Sequence, residues 1–164
     1  MSSRTDRHVV VVKGGHSVER QVSLVSGREC AAALRRVGYK VTEVDAGNDL
    51  PKELCKLSPD VVFNALHGRF GEDGCVQGLF EWMGLPYTHS GVISSFNCMN
   101  KIISKKIFKK NKILTPKYFS LNNIEFKKVN LKKLIKNKKI NYPIVIKPAN
   151  EGSSLGVKIC NNIN

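Results

Sequence analysis

The sequence predicts an α/β fold in which a parallel sheet is flanked by helices. The first 99 residues contain short runs of β-branched and other apolar residues, and segments with helical spacing separate these runs. Glycine or proline stands at several of the junctions, where turns are expected. Because strands that alternate with helices pair in parallel through right-handed crossovers, this pattern favours a parallel sheet.

Four strands and two helices account for this first part. The run at residues 8–12 ends at Gly14 and Gly15, as expected of a buried strand that leads into a tight turn. The other predicted strands are residues 40–44, 61–66 and 85–87. The predicted helices extend from about residue 18 to 37 and from 74 to 83, and Gly38 and Gly84 suit their C-terminal ends.

A boundary near residue 100 divides the chain into a first domain, residues 1–99, and a second segment, residues 100–164. The second segment predicts a helix at about 95–110, a helix within 123–137, a strand at 142–147 and a strand from residue 157 that is cut short at Asn164. Since a single β-loop-β unit is marginally stable in water, we expect this segment to be the incomplete start of a second, α+β domain.

The charge distribution changes at the same boundary. Residues 1–99 contain eleven basic and eleven acidic residues, whereas residues 100–164 contain sixteen lysines, no arginine and only Glu125 and Glu151. The net charge of +14 therefore lies entirely in the second segment. A nucleic-acid-binding fragment is one interpretation of this charge, but absent arginine and sparse aromatic residues disfavour specific base contacts.

Neither secretion nor membrane insertion is predicted. The apolar run near the N-terminus is too short for a signal peptide, and the chain has no stretch of 18 apolar residues. The five cysteines are irregularly spaced without a C-x-x-C pair, so we expect reduced, buried thiols rather than a zinc site. These features indicate a cytoplasmic protein with no membrane partner.

The first candidate motif follows the first strand and spans residues 14–23, GGHSVERQVS. Its glycines permit a sharp turn and close approach by a ligand, although the motif is not the dinucleotide-binding G-x-G-x-x-G pattern. Glu19 is expected in the first turn of the following helix, where it could bind a ligand or simply complement the helix dipole. Ser17 could likewise be only an N-cap.

The second candidate motif follows the third strand and spans residues 64–74, NALHGRFGEDG. Ligands of open α/β sheets bind at the carboxyl ends of the strands, which is where His67 is predicted to lie. A histidine there could transfer a proton or bind a carboxylate, or it could be purely structural.

The third candidate motif spans residues 144–157, IVIKPANEGSSLGV. Lys147 ends an apolar strand, where a buried cation would need an anion, and the loop after it is rich in glycine and serine. The N–H groups of such a loop could bind phosphate, although the Walker A pattern is absent and an ordinary hairpin loop is the alternative.

Together and in this order, the motifs resemble those of the D-alanine–D-alanine ligase family of the ATP-grasp superfamily. Residues 14–23 resemble its G-G-x-S-x-E-R-x-V-S motif, and residues 65–74 resemble A-L-H-G-x-x-G-E-D-G. Residues 146–156 resemble V-K-P … E-G-S-S-x-G. Shorter matches lie at Gly78, residues 83–87, 90–92 and 99–101. The resemblance implies a Rossmann-like, pre-ATP-grasp sheet followed by the start of an ATP-grasp domain.

The resemblance also implies an activity and its residues. ATP would phosphorylate one D-alanine, and the amine of a second D-alanine would attack the acylphosphate. Glu19 would hold the ammonium group of the first D-alanine, and His67 would lie near the carboxylate of the same substrate. Ser153 would orient Glu19. The residues implied in ATP binding are Lys101, Lys147, Glu151, Gly152, Ser153, Ser154 and Gly156.

Departures from the family pattern are few, but the chain is about half the family's usual length. Asn100 stands where the family usually has aspartate, His89 where glycine is commoner, and Gln21 where glutamate is frequent. The magnesium ligands of the family are expected in the missing half, and none is expected here. We therefore expect this chain to be inactive alone, and full-length members to form homodimers.

Two further alternatives remain at this point. A related ligase could join D-lactate instead of the second D-alanine, because the region that selects this substrate is absent. The chain could also be a bare structural or regulatory fragment.

Overall fold

The structure, a computed structural model, describes residues 6–163. The chain divides into two compact units, of which the first ends at Met99 and the second begins at Asn100. Residues 1–5 and Asn164 lie outside the described residues. Residues 1–5 begin the segment compared above with a signal peptide, and Asn164 ends the strand predicted from residue 157.

The first unit is built on a three-stranded parallel sheet. β1 (His8–Lys13) lies between β2 (Lys40–Asp45) and β3 (Val61–Asn64), and both neighbours pair with it in parallel. The register places His8 opposite Lys40 and Val9 opposite Val61. The predicted parallel sheet with flanking helices is confirmed.

Both faces of the sheet are covered because the central strand alternates between two apolar layers. Val9 and Val11 pack with Ala31 of α1 (Arg20–Arg36). Val10 and Val12 pack on the opposite face, where residues of α2 (Leu50–Leu57) and α3 (Cys75–Trp82) complete the cluster. Burial on both faces explains why β1 is an uninterrupted run of valines rather than an alternation of apolar and polar residues.

Three elements between residues 50 and 110 differ from the prediction. The eight-residue helix α2 was not predicted, although Leu50, Leu54 and Leu57 have helical spacing. The strand predicted at 85–87 is reduced to a single parallel bridge between Val62 and Tyr87. The helix predicted at 95–110 is two helices, α4 (Val92–Met99) and α5 (Lys101–Lys110), which Asn100 separates.

The second unit contains α5, two short helices and a hairpin. α6 (Asn123–Lys128) and α7 (Leu131–Asn137) replace the single helix predicted within 123–137. β4 (Ile144–Ile146) and β5 (Lys158–Cys160) pair antiparallel. No side chain in residues 100–163 is buried, and Val145, Ile146 and Ile159 are at least half exposed. This unit therefore lacks the kind of core that stabilises the first.

Two sequence-based expectations are wrong because they assumed burial. Cys55, Cys75 and Cys98 are exposed, while Cys30 and Cys160 are intermediate, so none of the thiols is a buried core residue. Lys147 is exposed as well, because β4 has no covering layer, so burial does not force it to meet an anion.

Within residues 6–163, no helix has both the length and the apolar character needed to cross a bilayer.

An ion-pair network joins β1, β2 and α1. Glu43 on β2 pairs with Lys13 at 2.5 Å and with Arg35 at 2.8 Å. Gly27 lets α1 approach this point closely, since a Cβ at Gly27 would lie 2.5 Å from the Cβ of Lys13. The hydrogen bond from Lys13, followed by that from Arg35, outweighs partial burial and lowers the pKa of Glu43 below its ordinary value of 4.5.

We predict that Glu43→Gln lowers the free energy of unfolding by about 1 kcal/mol at neutral pH, because it removes a partly exposed ion pair. A folded-state pKa below the unfolded value means that the folded chain binds fewer protons at acidic pH. The contribution of Glu43 is therefore present above pH 4.5 and is lost as the pH falls through the lowered pKa. Urea unfolding at several pH values measures this.

Glu29→Gln, which removes an exposed carboxylate from α1, is the control and should change stability little at any pH. A difference between Glu43→Gln and the unaltered chain that stays constant from neutral to strongly acidic pH would contradict the prediction.

Candidate functional site

A cavity lies at the carboxyl edge of the parallel sheet, where the loops after all three strands meet. Its volume is about 180 Å³. The loops after β1, β2 and β3 and the first turns of α2 and α3 line it, and the lining residues are mostly apolar: Gly14, Gly15, His16, Ser17, Ala46, Gly47, Leu50, Leu66, His67, Arg69, Phe70, Gly71, Cys75, Val76 and Leu79. The first two predicted motifs therefore contribute to one edge of the sheet, as the parallel fold requires.

The hydroxyl group of Ser23 links the two motifs. Ser23 is fully buried in α1, and its Oγ accepts a hydrogen bond from the Gly14 N–H at 2.8 Å. The same Oγ donates to the Ala65 carbonyl at 2.7 Å. One side chain thus satisfies a backbone donor after β1 and a backbone acceptor after β3, neither of which the sheet can satisfy.

Glu19 is placed beside the second motif. It is the N-cap residue of α1 rather than part of its first turn, and only 6% of its surface is exposed. Its N–H donates to Ser17 Oγ at 3.1 Å in the turn before the helix, so Ser17 is not the N-cap. The carboxylate lies against Gly68, where an added Cβ would be 2.3 Å from Glu19 Oε2. Glu19 therefore adjoins the residue that directly follows His67.

His67 is oriented by contacts with both of its ring nitrogens. Nε2 lies 3.1 Å from Ser26 Oγ, and Nδ1 lies 3.9 Å from Glu72 Oε1. Glu72 is itself held because its other carboxylate oxygen accepts a hydrogen bond from the Gly68 N–H at 2.7 Å. The imidazole is half-buried, so part of it remains accessible to a ligand.

Two buried amides hold the loop that carries His67. Asn64 Nδ2 and Gln77 Nε2 both donate to the Gly71 carbonyl, at 2.9 and 2.8 Å. The side-chain oxygen of Asn64 accepts from the Leu66 N–H at 3.1 Å. Both side chains are at least 96% buried, so these hydrogen bonds are shielded from water and fix the loop firmly.

The end of this loop also determines the start of α3. Asp73 accepts hydrogen bonds from the N–H groups of Phe70 and Cys75. Partial burial raises the pKa of Asp73, but these N–H groups outweigh it, and the net pKa lies below its ordinary value. Burial and the Asp73 carboxylate raise the pKa of the Cys75 thiol, which makes it a poor nucleophile.

An ion pair fixes the loop after β1 from the other side. Arg20 and Asp45 make two parallel hydrogen bonds, at 2.6 and 2.5 Å. The hydrogen bond from Arg20 lowers the pKa of Asp45, and the same contact raises the pKa of Arg20. The pair therefore stays ionised over the neutral pH range.

A second cavity, of about 120 Å³, lies within the second unit. Lys101, Lys147 and the loop after β4 line it. Lys101 Nζ donates to the Glu151 carbonyl, and the Lys101 N–H donates to the Ala149 carbonyl at 2.9 Å. The remaining lining residues are Pro148, Gly152, Ser153, Ser154, Leu155 and Val157. Two lysine side chains thus line one cavity, and their positive charge suits an anion.

The loop of this second cavity has an unusual backbone. Ser153, Ser154 and Gly156 all have positive φ, at 43°, 61° and 66°. Gly156 is further required because a Cβ there would lie 2.7 Å from Pro148 Cγ. The Leu155 N–H donates to the Gly152 carbonyl at 2.9 Å, so Ser153 and Ser154 are the central residues of a tight turn.

Two of the departures from the family pattern have a structural explanation. Asn100 Oδ1 accepts hydrogen bonds from the N–H groups of Ile102 and Ile103, so it caps α5 as an aspartate would. His89 has a φ of 82°, in the left-handed region where glycine is favoured and histidine is tolerated.

The residues predicted from sequence fall into two groups within the two units. Glu19 and His67 lie at the sheet edge of the first unit, whereas Lys101, Lys147, Glu151, Gly152, Ser153 and Ser154 line the cavity of the second. Gly156 adjoins that cavity through Pro148. Sequence reasoning missed Ser23, Ser26 and Asp45 as site residues. Ser23 lay within a quoted motif, but its partner Ala65 is 42 residues away.

Comparison with protein families identifies both parts of the chain. Residues 43–90 match the family described as D-ala D-ala ligase N-terminus. Residues 107–164 match the family described as D-ala D-ala ligase C-terminus.

Curated relatives and solved structures agree with these matches. The chain is 50% identical to a D-alanine–D-alanine ligase of Ruegeria pomeroyi, over 97% of this chain and 49% of that relative. It is 51% identical to one of Parvibaculum lavamentivorans, over 93% of this chain and 47% of that relative. The ligase structure from Bacillus anthracis superposes with a TM-score of 0.81, at 38% identity, over 96% of this chain and 50% of the other. The same enzyme complexed with ATP gives 0.79 at 36% identity, over 95% and 50%. The chain thus spans about half the length of the curated relatives it matches.

We predict that Ser23→Ala lowers the free energy of unfolding by about 2 kcal/mol, because it leaves a buried N–H and a buried carbonyl without their partner. Urea unfolding monitored by circular dichroism measures the loss. Ser94→Ala, at an exposed position of α4, is the control and should be nearly neutral. Equal stabilities of the two variants would show that Ser23 does not join the motifs.

Proposed function

The chain belongs to the D-alanine–D-alanine ligase family, and we propose on this premise that its first unit binds the first D-alanine and its second unit binds part of ATP. In the ligase reaction, ATP phosphorylates the carboxylate of one D-alanine, and ADP is released. The amine of a second D-alanine then attacks the acylphosphate carbon, which forms the peptide bond and releases phosphate. The whole ligase would thus make D-alanyl-D-alanine for the bacterial cell wall.

The observation that carries this proposal is the juxtaposition of Glu19 with the His67 loop. A D-alanine zwitterion needs an anion for its ammonium group and a cation or hydrogen-bond donor for its carboxylate. Glu19 would supply the first and His67 the second. The carboxylate of Glu19 lies against Gly68, one residue beyond His67, and this adjacency supports placing the two groups at one site.

The cavity of the second unit supports the ATP-binding part of the proposal. Lys101 and Lys147 would contact phosphate oxygens, and the N–H groups between Glu151 and Gly156 would add neutral donors. ATP supplies the phosphoryl group that activates the carboxylate. Lysines and oriented N–H groups stabilise the negative charge spread over such a group. Ser153, expected to orient Glu19, stays a predicted site residue.

Magnesium would be needed to neutralise the triphosphate charge of ATP. Among residues 6–163, no three His, Cys, Asp or Glu side chains are grouped so that they could hold a metal ion. We propose that the magnesium ligands belong to the half of the relatives that has no counterpart in this chain. Because phosphoryl transfer needs the triphosphate charge neutralised, we expect this chain alone to release no phosphate from ATP and D-alanine.

The proposal extends to location and assembly. Its small-molecule substrates are cytoplasmic metabolites, so we propose a cytoplasmic protein with neither membrane nor nucleic-acid partners. For the whole ligase we propose a homodimer, and the exposed apolar side chains Trp82, Ile93 and Phe96 on α3 and α4 support association of the first unit.

D-Alanine is the proposed second substrate, and a ligation assay with D-lactate tests the alternative.

We predict that Glu19→Gln weakens D-alanine binding to this chain about tenfold, because a charge-assisted hydrogen bond to the ammonium group becomes a neutral one. NMR titration with isotope-labelled D-alanine measures the dissociation constant, including weak binding. The unfolding midpoint should change little, since glutamine has the same shape.

Glu29→Gln removes an exposed carboxylate from the same helix and is the matched control, with unchanged binding expected. Binding by Glu19→Gln as tight as that of the unaltered chain would refute the assignment of Glu19. Absence of D-alanine binding in the unaltered chain would refute the proposed site.

A further inference from the structure

The Arg20–Asp45 ion pair does more than join α1 to β2, because it also contacts the backbone of the loop after β1. Arg20 Nη1 donates to the Gly15 carbonyl at 3.2 Å, and Asp45 Oδ1 accepts from the Gly15 N–H at 3.3 Å. Both hydrogen-bonding groups of Gly15 are therefore held by one ion pair, in addition to the two hydrogen bonds within the pair.

The loop is shaped to receive this pair. Gly14 and Gly15 have φ values of 74° and 78°, a conformation that side chains other than glycine rarely adopt. A Cβ at Gly14 would lie 2.2 Å from Asp45 Oδ1 and 2.7 Å from Arg20 Nη1. The ion pair thus lies directly against the backbone of the turn, and the turn cannot shift without breaking it.

The pair contributes to local geometry as well as to stability. The side chains of Arg20 and Asp45 are 43% and 45% exposed, so solvent screens their attraction, but they make two parallel hydrogen bonds. A planar guanidinium that makes two parallel hydrogen bonds to a carboxylate fixes the relative orientation of the groups that carry them.

The geometry that the pair fixes is that of Glu19. Arg20 begins α1, and Glu19 is the residue directly before it. The Arg20 N–H also donates to the Ser17 carbonyl at 3.0 Å, which ties the turn before the helix to the same residue. Any rotation of the first turn of α1 would move the Glu19 carboxylate away from Gly68.

We propose that Arg20 and Asp45 are positioning residues for substrate recognition, which hold the Gly14–Gly15 turn and the start of α1 so that Glu19 can bind an ammonium group. The inference rests on the proposed function of Glu19. It concerns the fine placement of that carboxylate, and neither Arg20 nor Asp45 contacts the substrate in this account.

The test compares ligands with and without an ammonium group. Propionate retains the methyl and carboxylate groups of alanine but lacks the ammonium that Glu19 would bind. We expect the unaltered chain to bind D-alanine more tightly than propionate, and Arg20→Ala to reduce this preference roughly fivefold, because small misplacements of a binding group are costly. Competition NMR with both ligands measures the preference, and urea unfolding measures stability.

Two other variants refine the test. Arg20→Lys keeps the charge but loses the two parallel hydrogen bonds, so it should retain only part of the preference. Arg36→Ala removes a positive charge from the exposed C-terminal end of the same helix and should leave the preference unchanged.

The outcomes separate this inference from the function on which it rests. No preference for D-alanine in the unaltered chain would refute the proposed function itself. A normal preference in Arg20→Ala would overturn the positioning role while leaving that function intact. Equal weakening of both ligands, or loss of folding in both Arg20→Ala and Arg20→Lys, would also overturn it, because the pair would then be merely structural.

Discussion

The hydroxyl group of Ser23 is the interaction on which the sheet edge depends. It is buried in α1, between the turn after β1 and the end of β3, and it supplies a hydrogen-bond acceptor to one and a donor to the other. Without it, Gly14 and Ala65 would each leave a polar backbone group unpaired in the core. The parallel sheet brings the two loops to the same edge, and Ser23 then fixes the distance between them.

Different kinds of interaction hold the two loops, and the difference follows from their exposure. The loop after β3 is held by the buried amides of Asn64 and Gln77, which converge on the Gly71 carbonyl. The loop after β1 is held by a half-exposed ion pair against its glycines. Buried neutral hydrogen bonds stabilise the unit, whereas the exposed pair chiefly sets orientation. Glu19 follows the loop that the ion pair holds, and His67 lies in the loop that the buried amides hold. Both residues are proposed substrate contacts.

Sequence patterns predicted the parts of the fold that local chemistry determines. The valines of β1, the glycines after it and the helical spacing of α1 were sufficient for the parallel sheet, and Glu19 and His67 followed from motifs at the strand ends. The helix α2 was missed because eight residues with a proline near the start give a weak periodic signal. The single helix predicted at 95–110 is two helices because the Asn100 side chain caps the start of α5. Apolar periodicity alone does not reveal such a cap.

The side-chain network could not be predicted, because its partners are distant in sequence. Arg20 and Asp45 are 25 residues apart, and Ser26 and His67 are 41 apart. The expectation of buried cysteines failed for a related reason, because four of the five lie in the first unit and three of these, Cys55, Cys75 and Cys98, occupy exposed positions there. Patterns in one segment indicate which face is apolar but not which other segment will cover it.

The central claim is that the loops after β1 and β3 form one D-alanine site within this chain. The most direct test is a titration of the ¹⁵N-labelled chain with D-alanine, followed by two-dimensional ¹H–¹⁵N NMR. We predict that the largest saturable shifts occur at the amides of Gly15, Glu19, His67 and Gly68, and that L-alanine produces much smaller ones. Equal shifts with both enantiomers, or D-alanine shifts absent from these two loops, would contradict it.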